Sequence, residues 1–175
     1  MSNFFNQTNS TNFLLQIPDG KLTESFVLNL QTINVPEIHI PSTYAPAGTQ
    51  GIATGSYPGS GIEFEPLNAR FIVDENLDSW LSMYKWMISI NNYIDRDRSG
   101  WMHGDKPRPV VLNILNNTKT DVVLTIRLHG AWCSNLSEIE YDYTVETDPA
   151  LFCVATINYQ YLEVEKDGAV ITGRV

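Results

Sequence analysis

The side chains best suited to chemistry are scattered along this chain, and none completes a site. Asp95, Asp97, Ser99 and Gly100 match positions 1, 3, 5 and 6 of a calcium loop. Position 12, where a bidentate glutamate normally closes the shell, is Lys106, an ammonium where an anion is required. Arg96 and Arg98 cancel local negative charge, and Pro107 and Pro109 block a following helix, so the segment reads as a charged turn. His39, His103 and His129 lack the His-x-x-x-His or Glu-x-x-His spacing of a zinc or iron site, and Cys133 and Cys153 form no Cys-x-x-Cys pair. His129 and Cys133, if on one strand, would share a face but stand ~13 Å apart, too far to exchange a proton. There is no Gly-x-Ser-x-Gly elbow, no Gly-Lys-Ser/Thr phosphate loop and no patterned carboxylate pair. The expectation is a protein that is not an enzyme and carries no cofactor or metal. Cys133 and Cys153 read as buried thiols, with a bridge between neighbouring strands as the alternative.

The elements that hold these residues belong to an acidic chain of 175 residues, with 11 Lys and Arg against 20 Asp and Glu, for a net charge of −9. That length suits one domain, and 43% hydrophobic residues suffice for a core. The acidic balance argues against sequence-independent nucleic-acid binding, which draws on Lys and Arg displacing counterions. No apolar run reaches the ~18 residues of a membrane span, and the first residues lack a basic, then apolar, leader pattern. A soluble chain without a signal peptide is expected, in which the Asn-x-Ser/Thr triplets at Asn6, Asn9, Asn116 and Asn135 carry no meaning.

Residues 1–11 are polar, with Phe4 and Phe5 as anchors, and read as a flexible N-terminal arm ahead of a single domain over 12–175. Asn12–Ile17 and Ser25–Leu30 read as a hairpin about Asp19-Gly20. Residues 41–61 hold three prolines and five glycines, too many for regular structure, and read as a projecting loop whose Tyr44, Ile52 and Tyr57 could grip a neighbour. A strand over Ile62–Val73, broken near Pro66, precedes a helix of about four turns. Leu77, Trp80, Leu81, Tyr84, Met87 and Ile88 form its apolar stripe, and Asp74, Glu75, Asn76 and Asp78 its cap. Further strands are predicted at Val110–Leu115, Val122–Trp132, Ile139–Val145 and Phe152–Val164. The class is mainly β: an antiparallel sandwich or partly closed barrel with one long α-helix.

One stretch is distinctive. From Leu128 to Val164 the chain runs through Gly130-Ala131-Trp132, Ser134-Asn135, a Glu-rich segment, an acidic turn and a strand ending in Tyr159-Gln160-Tyr161. Gly130, Trp132, Asn135, Glu138, Tyr141, Asp142, Thr156 and Tyr159 sit where the tail-tube fold family of bacteriophages places them, and the chain resembles that family. Cys133 stands where the family pattern has proline. Phe64-x-x-Leu67-x-x-Arg70-Phe71-x-Val73-Asp74-Glu75-Asn76 also looks like the family's strand and helix entry. Over nearly its whole length the chain is most similar to the tube terminators, or tail-completion subunits, of T-even-type contractile-tailed phages.

The resemblance implies a structural virion protein, assembled in the host cytoplasm. It would form a homo-hexameric ring that caps the head-proximal end of the tail tube and stops its growth. Its implied partners are the tail-tube ring below and sheath-terminator or neck proteins, with DNA passing through the channel unbound and no membrane involved. A main tube subunit, a baseplate tube initiator and a ligand-binding β-sandwich are the alternatives. Open strand edges must be paired by neighbours or guarded, which makes Phe4, Phe5, Tyr44, Ile52, Tyr57 and Trp132 candidate ring contacts. Glu138, Glu140, Asp142, Glu163 and Glu165 are candidate channel-facing acids, which would repel phosphate; equally, they could keep an exposed face soluble.

Overall fold

The computed structural model describes residues 6–17, 24, 26–96, 109–144, 147 and 149–171. Phe4, Phe5 and most of the calcium-like pattern, from Asp97 onward, lie outside these residues. In chain order the strands are β1 (Phe13–Gln16), β2 (Leu30–Ile33), β3 (Ile38–His39), β4 (Ser42–Ala47), β5 (Ala53–Pro58), β6 (Glu63–Phe64) and β7 (Leu67–Ile72). After helix α1 (Asp78–Ile90) come β8 (Val110–Leu115), β9 (Val122–His129), β10 (Trp132–Leu136), β11 (Phe152–Asn158), β12 (Tyr161–Lys166) and β13 (Ala169–Val170). They form a five-stranded sheet, β1-β8-β9-β12-β13, and a four-stranded sheet, β10-β11-β7-β2, beside the ribbons β3-β6 and β4-β5. The pairings are antiparallel, and the two main sheets remain separate rather than closing into a barrel.

Alternation along the strands makes the core. Leu15, Leu112, Ile126 and Leu128 from the first sheet join Leu67, Phe71, Ala155 and Ile157 from the second in one buried cluster. Phe26 meets Phe71 edge-on, ring centroids 5.0 Å apart. Each of the Leu, Ile and Phe side chains contributes about 1.5–3 kcal/mol on burial. The second sheet turns its other face outward, carrying Asn68, Arg70, Thr156 and Trp132; Arg70 lies over the Phe152 ring at 4.0 Å.

Several expectations are corrected here. Strand β1 pairs with β8, residues 26–28 are helical and β2 pairs with β7, so the expected hairpin about Asp19-Gly20 does not form. The strand expected over Val122–Trp132 divides at Gly130 (φ +63°), and the one expected over Phe152–Val164 divides at Tyr159-Gln160. At both breaks the chain crosses between sheets, and the Gln160 N–H donating to the His129 carbonyl (2.9 Å) ties the crossings together. A Cβ on Gly130 would stand 2.8 Å from Gln160 Cδ, so this corner suits glycine twice over. Residues 137–142 form no strand; their alternating acids are exposed and only Ser137 still pairs, donating its N–H to Val154. The Gly- and Pro-rich segment 41–61 is not irregular either, because β4 and β5 pair from Ser42↔Pro58 to Ala47↔Ala53 around a tight turn. Gly55 permits this: a Cβ there would lie 2.9 Å from that of Ala47.

Helix α1 begins after Leu77, which is left-handed (φ 59°). Asp74 satisfies its first turn, accepting hydrogen bonds from the N–H of Asp78 (2.9 Å), the N–H of Ser79 (2.8 Å) and the Ser79 hydroxyl. Partial desolvation pushes the Asp74 carboxyl up, but these donors outweigh it and hold its pKa at about 2, against an ordinary 3.8. The buried face of the helix is Ser79, Ser82, Met83 and Trp86, not the stripe with the most apolar residues. The two serines enter the interior because their hydroxyls are used within the backbone, Ser79 toward Ile72 O (3.1 Å) and Ser82 toward Asp78 O (2.6 Å).

Candidate assembly surfaces

Among the described residues, those that could bear chemistry are occupied by structure. Asp95 belongs to a turn held by Asn92, whose amide donates to it at 2.8 Å. His129 and Cys133 lie on different sheets rather than along one strand. The His129 ring faces outward and meets Glu163 at 3.0 Å, while Cys133 faces the core, where burial pushes its thiol up to about 12. Cys133 and Cys153 are both free and buried, and burial raises the Cys153 thiol as well. Among the described residues no group of three or more His, Cys, Asp or Glu is placed to hold a metal ion. No helix among them is long and apolar enough to cross a membrane.

What the fold presents instead is apolar surface. The β4-β5 ribbon holds Tyr44 (72% exposed), Ile52 (85%) and Tyr57. From Ile38 to Ile62 no Asp, Glu, Lys or Arg occurs, although the chain as a whole carries −9. An exposed ribbon is ordinarily guarded by charge against pairing with other chains, and this one is not. Val35, Ile38, Ile40 and Ile62, beside the ribbon in sequence, are also exposed. Trp132 stands on the outer face of the four-stranded sheet, at the strand edge.

The five acids fall on two parts of the fold. Glu163 and Glu165 project from β12 and are both paired: Arg127 reaches Glu165 at 2.6 Å, and His129, stacked on Tyr161 with centroids 4.6 Å apart, reaches Glu163. Glu138, Glu140 and Asp142 follow β10 and are exposed; the N–H and hydroxyl of Thr144, both 2.7 Å from Asp142, draw that carboxyl down.

Two features escape a reading of the sequence. Residues 7–12 are tied to the β8-β9 turn by Asn117, which accepts from the Asn12 amide (2.7 Å) and donates to Gln7 O (2.9 Å). Nothing in the polar run 7–12 signals a partner more than 100 residues away. A groove of about 540 Å³ also opens between the start of α1 and the segment after β10, walled by Leu77, Trp80, Leu81, Leu136, Ile139 and Tyr141. Trp80 stacks on Tyr84 at 5.3 Å, and the Tyr84 hydroxyl meets that of Tyr93 at 2.7 Å. The surplus apolar residues on two adjoining faces of α1 were the available signal.

No family model matches the chain. It is 44% identical over 171 residues to the tail tube terminator protein of Enterobacteria phage T4, covering 98% of this chain and 96% of that protein. Among solved structures it resembles the tube terminating cap of the anti-feeding prophage, with a TM-score of 0.66, 13% identity and 95% of each chain covered. It also resembles the sheath/tube terminator of the PVC extracellular contractile injection system, with a TM-score of 0.63, 12% identity, and 92% and 98% of the two chains covered. These structural likenesses establish the fold, and the full-length identity establishes the kinship: the chain belongs to the tail tube terminator family of phages.

Proposed function

We propose that this chain is a structural component of the phage tail, without catalytic activity, that ends the tail tube. Six copies would join head-to-tail in a closed ring seated on the last tube ring, blocking further addition and offering a surface to sheath-terminator or neck proteins. The observation that carries this reading is the uncharged, exposed β4-β5 ribbon in an otherwise acidic chain. Such a surface is costly on a solitary molecule and becomes favourable when neighbours cover it. The N-terminal residues and Trp132 are further ring contacts in this reading.

DNA would pass through the ring without adhering. Glu165, paired with Arg127, and Glu163, hydrogen-bonded to His129, suit a structural face, whereas Glu138, Glu140 and Asp142, with no basic partner among the described residues, are left to face either the channel, where they would repel phosphate, or a neighbouring copy. Assembly takes place in the host cytoplasm. The test is to add purified protein to growing tail tubes and follow length by electron microscopy. Tubes that stop growing with one end capped support termination. Protein incorporated along the tube, or tubes of unchanged length, would contradict it.

A further inference from the structure

The groove beside helix α1 is apolar at its floor and acidic at its rim. Glu138 lines it and Glu140 lies two residues on, while Glu75 and Asp78 flank the lining residues Asn76 and Leu77. The acidic character extends along the chain, since residues 138–148 hold five acids and no base. The first cation along the helix is Lys85, a full turn beyond Leu81. A segment that fits this surface needs large apolar side chains between basic ones.

One stretch of this chain has that chemistry. Residues 96–108 contain Arg96, Arg98, Lys106 and Arg108, four of the 11 basic side chains, against Asp97 and Asp105. Trp101 and Met102 sit between the two basic pairs. In a chain with nearly twice as many acids as bases, this net positive segment is the complement of the acidic groove.

We propose that the α1 groove of one copy receives the 97–108 segment of a second copy, Trp101 and Met102 against Trp80, Leu81 and Ile139, with the flanking basic residues on the acidic rim. Because groove and segment are different surfaces, the contact is heterologous, and repeating it around a suitable angle closes a ring. This deepens the ring reading and rests on it, adding a charge-dependent contact separate from the β4-β5 ribbon. The apolar pair supplies affinity, and the charges supply register and direction.

The test is a charge swap in the full chain, read as the protein concentration at half-assembly, with far-UV circular dichroism and thermal unfolding confirming that each variant folds. Arg96→Glu with Arg98→Glu should raise that concentration at least ~10-fold, as should Glu138→Lys with Glu140→Lys; combining all four should recover to within ~3-fold of the original. Trp101→Ala should weaken assembly with no recovery by the swap. Carbodiimide cross-linking of mixed ¹⁴N and ¹⁵N chains should join Lys106 to Glu138 or Glu140 in mixed-isotope products. Assembly indifferent to the reversals would overturn the proposal and leave the ring reading standing. Cross-links confined to one isotope would overturn it in favour of a segment folded onto its own groove. If the unaltered chain forms no ring even on tube ends, the ring reading itself fails.

Discussion

Removing the Asp74 carboxylate should destabilise the start of α1, and the loss should depend on pH in a way that identifies its cause. Asp74 is the acceptor for the Asp78 and Ser79 N–H groups and for the Ser79 hydroxyl, at a helix start where Leu77 is left-handed and offers no side-chain cap. The folded-state pKa of about 2 against 3.8 corresponds to at most about 2.4 kcal/mol of stabilisation at neutral pH. Solvent screening at the exposed side of the carboxylate trims this to about 1–2 kcal/mol, the range found for deleted helix caps. Because the folded pKa lies below the unfolded one, the contribution is complete above about pH 5. It falls to about half by pH 3 and about a third by pH 2.5. Urea unfolding of the original chain and Asp74→Ala from pH 7 to pH 2.5 should show a difference of about 1–2 kcal/mol that shrinks along this curve; Asp74→Asn should lose less at pH 7, and its difference from the original chain should shrink with the same slope. A difference constant with pH, or none at pH 7, would refute the reasoning.

The remaining predictions concern the core, the corner and the ribbon. Trp86→Ala should cost about 3–5 kcal/mol in chemical denaturation, because the ring is 2% exposed, whereas Trp80→Ala, on the half-buried groove face, should cost under about 2 kcal/mol. Gly130→Ala should cost about 1–2 kcal/mol from the left-handed backbone and the displaced Gln160 side chain, measured as a fall in denaturation midpoint at unchanged slope. Tyr44→Ser combined with Ile52→Ser should alter monomer stability by no more than about 0.5 kcal/mol while abolishing ring formation, read by sedimentation velocity.

The parts of the fold set by local pattern were readable in the sequence. Pro66 marks the break between β6 and β7, Asp74 marks the helix entry, and Cys153, Ala155 and Ile157 share the buried face that their alternation indicates. The parts set by contacts distant in sequence were not. Nothing in the run from Val122 to Trp132 announces that Gly130 carries the chain to the other sheet, since the corner depends on Gln160 thirty residues on. The helix face is hidden for a different reason: Ser79 and Ser82 rank as polar in any periodicity, and only the acceptors their hydroxyls find, Asp74 and the Ile72 carbonyl for Ser79 and the Asp78 carbonyl for Ser82, make them fit for burial. That displacement carries Leu77, Trp80 and Leu81 to the groove, so the same ranking concealed a surface. The β4-β5 ribbon was obscured because Gly and Pro counted against regular structure, although Gly55 is what lets Ala47 approach. Tyr44, Ile52, Tyr57 and Trp132, proposed as ring contacts, are surface-exposed, and the five acids divide between a set on β12 held by Arg127 and His129 and an exposed set after β10.

Native mass spectrometry of the protein recovered from capped tube ends addresses the central claim directly. A closed ring of six copies of the 19.7 kDa chain should appear as one dominant assembly of about 118 kDa. A 19.7 kDa monomer, or a ladder of masses without closure at six, would contradict it.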